Sequence, residues 1–237
     1  MKFFSLESPL MNILGKMADL MWLNILTMIC CIPIITVGPA LTAMHYMALK
    51  IVRDEECYIT KGYFKSFKEN FKQATIIWLI IMVVVAVIVG DFYIILEQEI
   101  ELHNIFKLII MAIAILVLFT VTFIFPVLAK FENTIKNTFK NAFFISIVQF
   151  PKTIAMIAVT IAPAILFYVS YQIFPFLFLF GLSVPAFVSA LMYNKFFKKL
   201  EDQMMGVGTE SEEASGEEDE RIFKDELDES LFVEEGK

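Results

Sequence analysis

The chain has 237 residues, 58% of them hydrophobic and only 19% charged, and its mean hydropathy is +0.71. Soluble domains run near 45–50% apolar and about 25% charged, so these numbers point to a membrane protein and away from a soluble core. The formal net charge of −7 averages two unlike regions: residues 200–237 hold 15 Asp and Glu against Arg221, Lys224 and Lys237, whereas residues 1–199 carry 16 basic and 11 acidic side chains.

Taken in chain order, the N-terminus lacks a basic region followed by a short apolar stretch and a small-residue cleavage site, so it does not read as a removable signal. Five stretches then reach the length of about 20 residues that a hydrocarbon core about 30 Å thick requires. They lie at roughly 17–37, closed by Gly38-Pro39, then 74–96, 108–129, 153–172 and 174–194, the last two divided by a turn near Gln172 to Pro175. A strand in lipid would leave its edge groups unpaired, so each stretch is expected to be a helix.

The connection after the first span carries Lys50, Arg53, Lys61, Lys65, Lys68 and Lys72, and the one after the third carries Lys130, Lys136, Lys140 and Lys152. Lys195, Lys198 and Lys199 follow the fifth, while the connection after the second holds Glu97, Glu99 and Glu101 beside Lys107. The positive-inside rule puts the basic connections in the cytoplasm, giving five spans with the N-terminus outside and the C-terminus inside.

Both basic connections read as amphipathic helix. LTAMHYMALKIV places Leu41, Met44, Ala48 and Ile51 at helical spacing, and GYFKSFKENFKQATIIW sets Phe64, Phe67 and Phe71 in one sector beside Lys61, Lys65, Lys68 and Lys72. KFENTIKNTFKNAFF repeats the pattern with Phe131, Ile135, Phe139 and Phe143, a hint of a span–helix–span repeat. Phenylalanines at the acyl boundary with ammonium groups reaching anionic headgroups make a membrane-surface helix. A nucleic-acid patch does not fit a segment that runs without a linker into a span.

Polar residues inside the spans admit two readings each. Asp91, Asp19 and Asn24 are either wetted near the outer boundary or part of an ion or substrate site, and Asp19 and Asp91 would share a side. Pro33, Pro126, Pro163, Pro175 and Pro185 recur within spans, as in the broken helices of transporters but also as in ordinary kinks. The pairs Ala158 with Ala162 and Ala186 with Ala190 permit close helix packing.

Chemistry-bearing constellations are not evident. Cys30 and Cys31 are adjacent and Cys57 stands apart, so neither a disulfide framework nor a zinc site is expected. His45 and His103 fall on opposite sides of the expected membrane, and no phosphate-loop, nucleophile-elbow or paired-histidine zinc motif occurs. No catalytic residue, cofactor or metal is expected. Residues 200–237 read as an acidic, largely disordered cytoplasmic tail in which Phe223, Leu227 and Leu231, four apart, could form a docking helix for another protein.

The run LGKMADLMWLNILTMICCIPIITVGPALTAMHYMAL (14–49) followed by GYFKSFKENFKQATIIW resembles the YesL family of bacterial membrane proteins. The likeness covers about residues 6–200 and is most specific in PIITVGPALTAM and FKSFKENFKQA. It implies a multi-pass protein of the bacterial cell membrane, without established activity, linked to carbohydrate uptake in Gram-positive bacteria; it supplies no catalytic residues. The expectation is therefore an all-α integral membrane bundle acting as a non-enzymatic accessory or regulatory component of an ABC-type carbohydrate uptake system. Its partners would be anionic lipid headgroups together with transporter subunits or a cytoplasmic protein at the tail, and no nucleic acid. A small transporter or channel using Asp91 is the alternative.

Overall fold

Proline and tertiary contact set where the helices stop. The computed structural model describes residues 9–55, 58–97 and 104–204. Its helices are α1 (Pro9–Cys31), α2 (Val37–Val52), α3 (Ile59–Glu97), α4 (Asn104–Lys130), α5 (Ile135–Val148), α6 (Phe150–Val169), α7 (Phe174–Phe180) and α8 (Ser183–Met204). Single 3-10 turns occupy Ile34–Thr36 and Tyr171–Ile173, and no strand occurs among the described residues.

The first span ends earlier than expected. Pro33 is extended, at φ −77° and ψ 123°, and its ring disfavours helix at the preceding residue, so α1 stops at Cys31. Gly38 and Pro39 open α2 instead of closing α1, and the missing N–H of Pro39 falls in a first turn that has no acceptor for it anyway. The Thr36 hydroxyl donates to the carbonyls of Cys30 (2.6 Å) and Pro33 (2.8 Å), and the Trp78 indole N–H donates to that of Ile34 (2.8 Å). The break is thus satisfied from within.

Helix α2 is the largest departure from the sequence reading. Expected as a surface helix, it is enclosed by α1, α3, α4 and α8. Of its apolar window 56% is buried, against 11% for those of α3 and α6. Small side chains make this possible: Gly38, Ala40, Ala43 and Ala48 are all buried. A Cβ on Gly38 would press on the Ala74 carbonyl and come within 2.7 Å of Trp78 Cβ, so α2 and α3 meet almost backbone to backbone there. Met44, Ala48 and Ile51 face protein rather than headgroups.

Among the described residues, five unbroken helical stretches are by length and composition apolar enough to cross a membrane: Met11–Cys31, Ile34–Val52, Ile59–Ile94, Ile105–Lys130 and Phe150–Val169. The expected span 174–194 is bent: Tyr171–Phe180 and Ser183–Gln203 meet at 57° and together are apolar and long enough for a broken span or a re-entrant loop. Helix α3 has 39 residues and is about 58 Å long at about 1.5 Å per residue, nearly twice a hydrocarbon core. The basic segment and the apolar segment are one rod. Gly38 against Ala74 and Met47 against Gly62 show α2 running antiparallel along the basic half of that rod.

The start of α1 is not at the opposite end from this basic half. Lys16 pairs with Asp54 at 2.6 Å and the Trp22 indole donates to Thr60 Oγ1 at 2.9 Å, so α1 and α2 form a hairpin whose open end sits beside the first turn of α3. The expected N-terminus-outside arrangement would put Lys16 and Asp54 on opposite sides of a membrane, whereas here they are in contact.

The second amphipathic segment also differs from expectation. Thr134 caps α5 by accepting from Asn137 N, and Phe131, Ile135 and Phe139 turn inward onto the core, leaving Lys136 and Lys140 outside. Helix α5 is separate from α6, whereas its counterpart is continuous with α3, so the repeat hinted at by the sequence is not carried through. Ala186 and Ala190 are buried in packing, but Ala158 is exposed. Helix α8 continues through Met204, past the expected tail boundary. Cys57, Glu99, Glu101, His103 and the tail residues Phe223, Leu227 and Leu231 lie outside the described residues.

Candidate functional site

The Lys/Phe stretch forms the first turns of α3. Tyr63, Ser66 and Ala74 face inward and bury the helix against its neighbours, because they recur on one side at a period near 3.6. Lys61, Lys65, Lys68 and Lys72 are all exposed, as are Phe64 (38%) and Phe71 (40%). The rings form a ladder, Phe64 to Phe67 at 6.4 Å and Phe67 to Phe71 at 5.6 Å, with Phe67 partly buried on the core. Lys61 lies 5.2 Å from the Tyr58 ring, and Lys65 and Glu69 approach at 3.9 Å. The sequence reading of a basic face beside an aromatic stripe therefore describes an outward-facing surface.

The three polar residues singled out within spans have different fates. Asn24 is fully buried and closes the break between α7 and α8. Its Oδ1 accepts from the backbone N–H groups of Leu182 (2.8 Å) and Ser183 (2.9 Å), and its Nδ2 donates to the Phe178 carbonyl (2.7 Å). One amide thus serves the orphan donors opening α8 and a carbonyl at the end of α7. In an apolar setting each of those groups would otherwise be costly.

Asp19 and Asp91 are not brought together. Asp19 lines a shallow recess with Lys16, Asp54, Tyr58 and Ile59. Asp91 lies on α3 about 48 Å along the helix from Ile59, at about 1.5 Å per residue. It is half-buried, and its carboxylate makes no hydrogen bond or ion pair among the described residues. A shared polar site is excluded by that separation.

One polar cluster escaped the sequence reading. Arg53, just after α2, forms a two-pronged pair with Glu201 in α8, Nη1 to Oε2 at 3.0 Å and Nη2 to Oε1 at 2.8 Å. Its Nε donates to Asn194 Oδ1 at 2.8 Å, and Lys130 at the end of α4 reaches Glu201 at 3.3 Å. The Arg53 side chain is only 7% exposed. By sequence, Arg53 is one of several loop charges and Glu201 one of the acidic residues of the expected tail 200–237. Only the packing of α4 and α8 on α2 makes them partners.

Residues 20–92 match the family model described as protein of unknown function, DUF624. No curated protein and no solved structure gives a match. The DUF624 segment runs from Leu20 in α1 to Phe92 in α3, and so takes in the second half of α1, all of α2 and most of the rod they pack along. PIITVGPALTAM and FKSFKENFKQA both fall inside it. Asn24, Arg53 and the basic face belong to the DUF624 segment, whereas Glu201, Lys130 and the α7–α8 break lie beyond it.

Proposed function

We propose that the chain is a multi-pass protein of the bacterial cell membrane, of the YesL type, that works without catalysis as an accessory or regulatory component of a larger membrane assembly. The observation that carries this reading is the division of its polar chemistry. Asn24, Arg53, Glu201 and Lys130 are spent on internal pairing, while the lysines and phenylalanines of α3 are turned outward on a rod rigidly continuous with an apolar helix. A surface of that kind binds headgroups or a partner; it does not hold a substrate. With the basic segments on the cytoplasmic side, the α1–α2 hairpin that packs along the basic half of α3 lies towards that side, so the start of α1 is cytoplasmic, and so is the end of α8. That the assembly is an ABC-type carbohydrate uptake system rests on the family resemblance, and the acidic tail supplies a second cytoplasmic docking segment.

The test is purification of the native protein in mild detergent. Stoichiometric recovery of transporter subunits, lost when Lys61, Lys65, Lys68 and Lys72 are all changed to Gln, is the expected result. Recovery of the protein alone would overturn the reading. A second reading, a small transporter using Asp91, draws support from that carboxylate's position in an apolar helix. It requires solute flux in proteoliposomes that Asp91→Asn abolishes.

A further inference from the structure

Behind α2 lies a cavity of about 260 Å³ between α4, α6 and α8. Its lining is almost wholly apolar and includes no Lys, Arg, Asp or Glu. Among the exceptions is His45 of α2, whose Nδ1 is buried without a hydrogen-bond partner among the described residues. Thr160 and Ser189 add hydroxyls to the same wall, and Trp78 borders it. Leu118 and Ile161 also line it, yet they are 46% and 44% exposed on the apolar surface of α4 and α6. The cavity therefore communicates with that surface.

We infer that this cavity binds an uncharged, hydroxyl-bearing apolar molecule drawn from the bilayer, with His45 holding the hydroxyl. The His45 imidazole lines the cavity and its side chain makes no hydrogen bond among the described residues, so a hydroxyl entering there would give the ring a partner that the protein does not supply. A hydroxyl both donates and accepts, so it satisfies either tautomer of the imidazole. The absence of any charged lining residue disfavours a carboxylate or phosphate, which could not be paired there. The volume exceeds that of a benzene-sized cavity of about 150 Å³ but falls short of the range from about 300 Å³ typical of drug-sized ligands. A medium-length alkyl chain or a small ring with one hydroxyl fits between those limits, and the opening onto the lipid-facing surface gives it a path.

The experiment uses the full chain in nanodiscs with Trp22→Phe, which leaves Trp78 as the one tryptophan. A brominated medium-chain alcohol and the matching brominated alkane are titrated while Trp78 fluorescence is followed. Saturable quenching by the alcohol, with the alkane binding about tenfold more weakly, is expected. Ser189→Leu, which fills the cavity, should remove saturation, and His45→Phe should remove the preference for alcohol over alkane. Linear quenching that is equal for the two probes would mean mere partitioning into lipid and would overturn the inference, as would saturation that survives Ser189→Leu. Since these readouts depend on no protein partner, they stand whatever the copurification gives.

Discussion

Arg53 and Glu201, separated by 148 positions in the chain, are locked by two parallel hydrogen bonds of 2.8 and 3.0 Å. This fork joins the end of α2 to the last turn of α8, and Lys130 brings in the end of α4. Three helices that the sequence treats as separate are thereby tied at one end. Arg53→Leu would leave Glu201 with Lys130 alone and Asn194 without its donor. We expect a loss of about 3 kcal/mol, in line with the removal of one partner from a largely buried pair. Arg53→Lys should recover little of it, because an ammonium cannot reproduce the fork. Thermal unfolding in detergent, read as a double-mutant cycle with Glu201→Gln, measures the coupling; a coupling near zero would contradict the clamp.

Asn24→Leu is nearly isosteric but strips two N–H groups and a carbonyl of their partner at the α7–α8 break. The expected cost is about 2–4 kcal/mol. Asn24→Asp keeps the acceptor and loses the donor, so it should fall between wild type and Asn24→Leu in melting temperature. An unchanged melting temperature for Asn24→Leu would mean that the break is satisfied by other groups.

The glycines divide sharply. A Cβ at Gly38 meets the backbone of α3, so Gly38→Val should separate α2 from α3 and cost at least about 1–3 kcal/mol as an overpacked core does. A Cβ at Gly90 meets nothing within 4 Å, so Gly90→Ala should stabilise the helix by about 0.5–1 kcal/mol. Parallel melting curves for the two variants check the contrast, which disappears if α2 does not pack as described.

Cysteine labelling checks the hairpin. Asn12 and Lys68 are both exposed. On a background with the native cysteines replaced, Asn12→Cys and Lys68→Cys should both resist a membrane-impermeant maleimide in intact cells and both react in inverted vesicles. Labelling of Asn12→Cys from outside while Lys68→Cys stays protected would restore the five-span arrangement.

The class of the protein was legible in composition alone, since unbroken apolar runs of spanning length leave a chain little choice but helix. The exposed Lys/Phe face of α3 was equally legible, because amphipathic spacing along one helix is a local property. Proline positions located the turn before α7 but misplaced the end of α1, where Pro33 rather than Gly38-Pro39 breaks the helix.

What the sequence by itself determined, then, is what each segment is: apolar and long enough to cross a membrane, or basic and spaced to form a face. Only the tertiary structure decided what each segment touches. Composition reads α2 as a modest amphipathic helix, yet its small side chains let four helices close around it. Asn24 and Asp91 look alike as lone polar residues in apolar runs, but one is consumed by a broken helix and the other is not. Arg53, Glu201 and His45 gain their roles from groups on α8, α4 and α6 that are distant in the chain. Hydrogen bonds and cavities are properties of pairs and walls, and a linear sequence carries no record of which pairs will meet.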